Sequence, residues 1–407
     1  MRIVNILTQT RRQPPQLLIG ITGFLMAVGF CLQNAKLIPS LPGEYQPLIF
    51  LVGCCLATLI WPVPKPARIA AIVLFGGILL SLLVHAFLVE PKLPSTANLL
   101  RLALGPIMLA GTAAAWQKID CRWLWGVFTA GLLFAAVGTV NSNLTTHFVS
   151  TLGVRINDGG TAYAPWAAFF FAEYSYAALA FASVFAWLNA RTELTSYQRW
   201  LTLAIAILLI GLTRSGTGFA LIGIILLSQL RPRYWVIGLA ILGAAFFLSP
   251  RIERLTIALW QISQGNLEQF VVIDGSTTWR FLSNLLALKV ELVNPWGTLA
   301  FDLKPFNQLL QFDSVNTQSL INLFFADPKP VAAQGLFFNY GLFGGVILQT
   351  SLCFALAAAT TKTSAFSRNQ TILLALLTAY ALFVQSALTS PVPWILLGIW
   401  LSPPEKC

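Results

Sequence analysis

Apolar residues run along this chain in long stretches, broken by short polar or charged segments. Crossing a hydrocarbon layer takes about 20 such residues per helix. By that measure the pattern predicts spans near 16–33, 46–62, 68–89, 97–116, 122–140, 166–189, 200–213, 216–230, 234–249, 334–356, 369–389 and 392–402. An even number of crossings puts both ends of the chain on one side. The expected fold is an all-α polytopic membrane protein of about twelve transmembrane helices, with residues 1–407 forming one membrane domain. The first apolar run follows Arg11-Arg12 and leads into Gln33-Asn34-Ala35-Lys36 with no small-residue cleavage site. It reads as an uncleaved first span rather than a signal peptide.

The stretch from Trp200 to Leu230 fails as a single span. Arg199 before it and Arg231-Pro232-Arg233 after it favour the same side, so the chain must go out and return. Each arm is then about 14 residues, or roughly 21 Å at 1.5 Å per residue, short of the ~30 Å core. The turn Gly211-Leu212-Thr213-Arg214-Ser215-Gly216-Thr217-Gly218 is therefore expected inside the outer leaflet. Non-helical backbone at that depth is tolerated only against protein or a wet cavity. An arginine there is normally paired or faces a polar space. The alternative for Arg214 is a salt bridge within the bundle, for which Glu173 is the acid available in the neighbouring spans.

One long hydrophilic connection runs from Pro250 to Ala333, and it is expected on the outer side as a helical cap over the site. Ile252, Leu255, Leu259 and Ile262 recur at helical spacing, as in an amphipathic helix lying on a membrane. Trp279, Leu282, Leu286 and Val290 do the same on a second helix ending at Asn294-Pro295, with Arg280, Asn284, Ala287 and Glu291 on the opposite face. A third short helix is expected from Asp313-Ser314, which suit an N-cap. A second outer loop near 141–165 holds His147, Arg155 and Asp158.

Composition agrees with the pattern. The chain is 57% hydrophobic and 10% charged, with mean hydropathy +0.75, whereas soluble domains carry about 25% charge. The net charge of +11 comes with no basic stripe, so nucleic acid is not an expected partner. Basic residues instead sit between spans: Arg2, Arg11, Arg12, Lys65, Arg68, Lys118, Arg122, Arg191, Arg199, Arg231, Arg233, Lys362, Arg368 and Lys406 all fall on the side that holds the N-terminus. By the positive-inside rule both termini are cytoplasmic. Cys31, Cys54, Cys55 and Cys353 lie in apolar spans, and Cys121 and Cys407 in inner segments. That placement predicts neither a disulfide framework nor a metal cluster.

The available chemistry is narrow. There is no Walker loop, no dinucleotide glycine pattern and no His-Glu-x-x-His. With only His85 and His147 a histidine-rich metal site is excluded; His85 reads as a hydrogen-bonded interior residue, His147 equally as a substrate contact or a plain loop residue. What remains is a set of arginines with outward access, namely Arg214, Arg280, Arg155, Arg251, Arg254 and Arg101. A guanidinium presents five donors in a rigid fork that fits phosphate. In a dehydrated pocket such groups hold a lipid diphosphate and stabilise it as it departs. Arg251 and Arg254 fit lipid headgroups as well as a substrate, and Arg101 can snorkel.

These residues resemble a known superfamily, the bacterial O-antigen ligases and O-antigen polymerases. The resemblance covers roughly 195–355. It rests on Thr213-Arg214-Ser215-Gly216-Thr217-Gly218, and on Gly275-Ser276-Thr277-Thr278-Trp279-Arg280 followed by Asn294-Pro295-Trp296-Gly297. It also rests on Ser314-Val315-Asn316-Thr317-Gln318-Ser319-Leu320 with Gly335 and Tyr340-Gly341-Leu342-Phe343-Gly344 after it. The resemblance implies a C-type glycosyltransferase fold in the bacterial inner membrane with a periplasmic site. It implies a donor glycan on undecaprenyl diphosphate, a glycan or lipid acceptor, and no metal, cofactor or nucleotide sugar. Arg214 and Arg280 take the catalytic, diphosphate-holding roles. Arg155, Arg254, His147, Asp274, Asp313 and Asn316 are the expected substrate contacts, with Asp274 and Asp313 the nearest loop carboxylates to accept a proton. The family's ligase histidine has no counterpart, since Val315 precedes Asn316. That departure favours a polymerase or another exopolysaccharide enzyme over a strict ligase. The rival expectations are a secondary transporter of a small anionic solute and a structural membrane subunit.

Overall fold

A computed structural model describes residues 14–37, 46–89, 96–152, 168–171, 173–213, 215–230, 232–236, 257, 260, 263, 264, 275–298, 306, 309, 366–385 and 389–402. Regular structure among them is all helical. The α-helices are α1 (Gln16–Cys31), α2 (Leu48–Ile60), α3 (Lys65–Val84), α4 (Thr96–Ala115), α5 (Cys121–Val140), α6 (Ser142–Thr151), α7 (Tyr174–Ala190), α8 (Ser196–Leu212), α9 (Gly216–Gln229), α10 (Gly275–Val293), α11 (Arg368–Tyr380) and α12 (Pro391–Trp400). Ten of them coincide with predicted spans, and α10 is the predicted second helix of the long loop. The predicted spans 234–249 and 334–356 fall outside the described residues, apart from 234–236, as does most of the expected helix near 252–262 and all of that from Asp313. Helix α6 replaces an expected loop: Asn141 caps it by accepting from Leu144 N at 3.1 Å. The sixth span is shorter than expected, because the chain turns at 168–171 and α7 begins only at Tyr174.

Among the described residues, three helical stretches are long and apolar enough to cross a membrane by length and composition: Lys65–Phe87, Asn98–Ala115 and Cys121–Val140. Their packing is consistent with an apolar solvent. On α3, Ala67, Ala70, Ala71, Leu74 and Ser81 are buried, while Ile69, Ile72, Phe75, Leu79 and Leu83 face outward. Small side chains inside and large apolar ones outside is the arrangement that lipid tolerates and water does not. Several long apolar helices thus suggest a membrane protein.

Helix α7 is the axis of the bundle. Every residue from Ser175 to Ala190 is buried, which is how a helix apolar on all sides must be placed. Its many alanines let α5, α8, α9, α11 and α12 pack around it. Around this axis α1 packs on α2, α2 on α4, and α4 on both α3 and α12.

One end of the bundle gathers loop and helix ends by hydrogen bonds. Trp116 at the end of α4 donates through Nε1 to Ser402 O at 2.9 Å, and its own carbonyl accepts from Trp187 Nε1 at 3.0 Å and from the Arg191 guanidinium. Gln370 of α11 reaches Asn189 O of α7. Asp120, Thr195 and Ser367 cap α5, α8 and α11 at this same end, the last two through capping boxes with Gln198 and Gln370. Lys118, Arg122, Arg191, Arg199 and Arg368 therefore share one end, which agrees with their grouping by loop charge. The opposite end joins α1 to α2 and α5 to α6, where Lys36 N donates to Leu152 O and Gln46 N to Gln33 O.

Close helix contact depends on particular glycines. A Cβ on Gly29 of α1 would lie 2.1 Å from the Phe50 nitrogen of α2, whereas one on Gly76 of α3 would meet nothing within 4 Å. Overpacking of this kind costs about 1–3 kcal/mol. Gly29→Leu is expected to lower the midpoint of thermal unfolding in detergent clearly, and Gly76→Leu to leave it nearly unchanged. Equal effects would show that α1 and α2 do not touch this closely.

Candidate functional site

The break between α8 and α9 is built by two hydroxyls. Thr213 ends α8; both its backbone N–H and its Oγ1 donate to Ile210 O, at 3.2 and 2.7 Å, closing the last turn. Ser215, with extended backbone, caps α9 by accepting from Gly218 N at 2.9 Å. The two hydroxyl oxygens are 3.1 Å apart. Since Thr213 spends its proton on Ile210, Ser215 is the donor between them. Gly218 has no side chain because none fits: a Cβ would stand 2.9 Å from Thr213 Oγ1 and 3.0 Å from Ile210 O.

The turn is tied to the bundle by a buried polar chain. Thr217 Oγ1 donates to Gln385 Oε1 at 3.2 Å, and Gln385 Nε2 donates to Ser175 Oγ at 2.9 Å. Ser175 Oγ in turn donates to Glu173 Oε2 at 2.9 Å. Thr213, Ser215, Thr217, Gln385 and Ser175 are all buried. Each donor points along the chain towards the Glu173 carboxylate, so the bonds polarise one another in the same sense. Gln385 reaches this position because α11 continues into a π-turn, Ala381–Gln385. Such a turn inserts a residue into the helix and shifts the side chains beyond it to a different face.

These contacts also fix the direction of α9. Thr217 stands level with Ser175 at the start of α7, whose other end meets Trp116, and α9 packs along α11. The chain goes up through α8 and returns through α9, as the charge pattern predicts. Helix α8 is longer than the predicted arm because its Thr195 capping box starts it at Ser196. Its 17 residues span roughly 25 Å at 1.5 Å per residue, still short of the ~30 Å core.

Helix α10 docks at the same end. After Val293 the chain turns tightly: Gly297 has φ 82°, its nitrogen donates to Asn294 O at 3.1 Å, and Asn294 Nδ2 donates to Gly297 O at 2.9 Å. The Trp296 carbonyl accepts from His85 Nε2 at 3.2 Å. His85 opens the π-turn His85–Val89 that extends α3, and it is buried. It is the hydrogen-bonded interior residue expected. Leu282, Leu286, Ala287 and Val290 of α10 are buried with Phe306 and Leu309 against them. The face expected to oppose the apolar one is buried too at its C-terminal half, where Glu291 is 7% exposed. Its Oε1 and the buried Ser283 Oγ have no hydrogen-bond partner among the described residues.

Of the sequence-predicted site residues, Arg155, Arg214, Arg254, Asp274, Asp313 and Asn316 lie outside the described residues. Arg280 stands within α10, its side chain outside the described set. His147 is exposed on α6, where its carbonyl accepts from Ser150 and Thr151. Among described residues the structure brings together Thr213, Ser215 and Thr217 with Gln385, Ser175 and Glu173. Sequence reasoning missed Gln385 and Ser175. A lone amide in an otherwise apolar run is the signal that points to the former.

Burial pushes the Glu291 carboxyl from 4.5 up to about 7. A carboxyl with a raised folded value binds its proton more tightly when folded, so its contribution is present at acid pH and lost as pH rises through about 7. Hydrogen exchange in α10, corrected for intrinsic rate, is expected to quicken between pH 6 and pH 8, and Glu291→Gln to remove the change. An identical response in the variant would contradict this. In comparisons with family models, with curated proteins and with solved structures, the chain matched none.

Proposed function

We propose that this chain is a membrane glycosyltransferase that transfers or polymerises a glycan carried on undecaprenyl diphosphate. The site faces the periplasm of a bacterial inner membrane, with both termini cytoplasmic. The observation that carries the reading is the satisfied helix break at Thr213 and Ser215. It sits at the end of the bundle where α10, which carries Arg280, docks through Trp296 onto His85. A helix N-terminus favours anions, and the first turn of α9 is made of the small residues Gly216, Thr217 and Gly218. Arg214 adds a full charge at the same turn.

In the proposed reaction an acceptor hydroxyl attacks the anomeric carbon of the lipid-linked sugar from the face opposite the diphosphate. The new C–O bond forms as the bond to the phosphate oxygen breaks, and the electron pair leaves on the diphosphate. Arg214 and Arg280 neutralise that charge as it develops. The hydroxyl proton passes to a loop carboxylate, with Asp274 and Asp313 the candidates, or leaves late with solvent. The reaction needs no metal or nucleotide sugar. Because no histidine precedes Asn316, chain extension is preferred to ligation onto lipid A core.

The broken helix also suits a secondary transporter of a small anion. Replacing Arg214 separates the two. Arg214→Ala is expected to lower transfer about 10²–10³-fold, as loss of one oxyanion donor does, and Arg214→Lys to restore part of it. Long surface polysaccharide is lost and lipid-linked repeat units accumulate. Unaltered glycan with lost solute uptake would favour the transporter.

A further inference from the structure

A groove of about 670 Å³ opens between α5 and the start of α8, within the range of about 300–1,000 Å³ typical of ligand sites. Its wall on α5 carries Arg122, Trp125, Gly126, Thr129, Ala130 and Leu133, which recur at helical spacing on one face. From Arg122 to Leu133 the wall runs roughly 16 Å at 1.5 Å per residue, about half the depth of a ~30 Å hydrocarbon core. Space at Gly126 is open, since a Cβ there would meet nothing within 4 Å. Leu194 and Gln198 line the α8 side.

The charged groups of the groove stand at one end. Asp120 caps α5 by accepting from Arg122 N at 2.9 Å, and its other oxygen lies 3.1 Å from Arg122 Nε. Both side chains are more than half exposed, at 70% for Arg122 and 51% for Asp120. The ion pair is made through Nε, which leaves the two Nη groups to meet an anion, and the carboxylate has lone pairs for a second cation. The neighbouring arginines are spent within the bundle. Arg191 donates to the Trp116 carbonyl and to Glu193, and Arg199 to the carbonyls of Arg191 and Leu194. The lining thus carries one positive and one negative group, and no net charge. Aromatic side chains set the depth of this mouth. The Arg122 guanidinium lies 5.6 Å from the Trp123 ring centroid, and Tyr197 and Trp200 at the start of α8 are exposed. Exposed tryptophan and tyrosine gather at the headgroup level of a membrane.

We propose that this groove binds a zwitterionic phospholipid whose headgroup ends in a primary ammonium, of the phosphatidylethanolamine class. Its phosphate meets the Arg122 guanidinium and its ammonium the Asp120 carboxylate, while one acyl chain lies along Trp125, Gly126, Ala130 and Leu133. The wall matches such a lipid: it is charged at the mouth and mainly apolar beyond it, for the depth of one leaflet. An anionic phospholipid brings no cation to Asp120 and sets like charges together. A choline headgroup brings a cation without an N–H to donate. The inference needs the membrane setting and is independent of the glycosyltransferase reading.

The test takes the full chain in mild detergent, adds equal amounts of phosphatidylethanolamine, phosphatidylglycerol and phosphatidylcholine, and reads the retained lipids by native mass spectrometry. The wild type is expected to hold phosphatidylethanolamine over each of the others by about five-fold, the scale of two exposed charge contacts. Asp120→Asn keeps a helix cap, and it is expected to turn the preference towards phosphatidylglycerol, because Arg122 then stands unopposed. Arg122→Gln is expected to bring phosphatidylethanolamine down to the level of phosphatidylcholine. Gly126→Leu fills the groove without touching the charges, and it is expected to lower retention of phosphatidylethanolamine to that same level. Equal retention of phosphatidylcholine or phosphatidylglycerol by the wild type would overturn the proposal. A preference for phosphatidylethanolamine that survives in both charge variants would overturn it as well, since the lipid then binds elsewhere.

Discussion

A helix cannot open inside an apolar bundle unless the backbone groups it frees find partners at once, because no water is there to take them. At the break between α8 and α9 those partners are Thr213 and Ser215. The cost of hiding their hydroxyls is offset by bonds that continue through Thr217, Gln385 and Ser175 to Glu173. Loss of one member leaves a buried donor or acceptor unmet, at about 1–3 kcal/mol. The axial helix α7 supplies the anchor, and its end is where the break must sit.

The second half of the candidate site depends on how α10 is held. Its apolar face, Leu282, Leu286 and Val290, packs with Phe306 and Leu309 of the same loop, and a hydrogen bond from His85 to the Trp296 carbonyl ties the end of the helix to α3. Both His85 and Gln385 lie in π-turns that extend α3 and α11 at the same end of the bundle. Regular α-helical spacing would carry these side chains to other faces. The two irregularities therefore act together, one securing the break and the other the helix that carries Arg280.

Much of this was legible beforehand for physical reasons that can be named. The broken span followed from Arg199 and Arg231 claiming one side across too few residues, and α10 followed from the spacing of Leu282, Leu286 and Val290. Helix α6 was hidden because Ser142-Asn143-Leu144-Thr145-Thr146-His147 is polar and rich in hydroxyls, a composition that reads as loop until Asn141 is seen to cap it. The early start of α8 is marked by Thr195 and Gln198, whose capping box lies ahead of the apolar run and so carries no hydropathy signal. Gln385 could be suspected as an isolated amide but not matched to Ser175, since the two are far apart along the chain and a π-turn sets the register. The burial of Glu291 runs against helical spacing, which gives it a polar stripe. Tertiary contacts of α10 override that stripe.

The account depends on Arg214 and Arg280 converging on one diphosphate. The most direct measurement places cysteine at both positions, Arg214→Cys with Arg280→Cys, in a chain whose other cysteines are replaced, and treats membranes with a short bis-maleimide. The account predicts an internal cross-link that polyprenyl diphosphate suppresses. No link between 214 and 280, while the hydrogen-bonded pair Thr217→Cys with Gln385→Cys links readily, would contradict it.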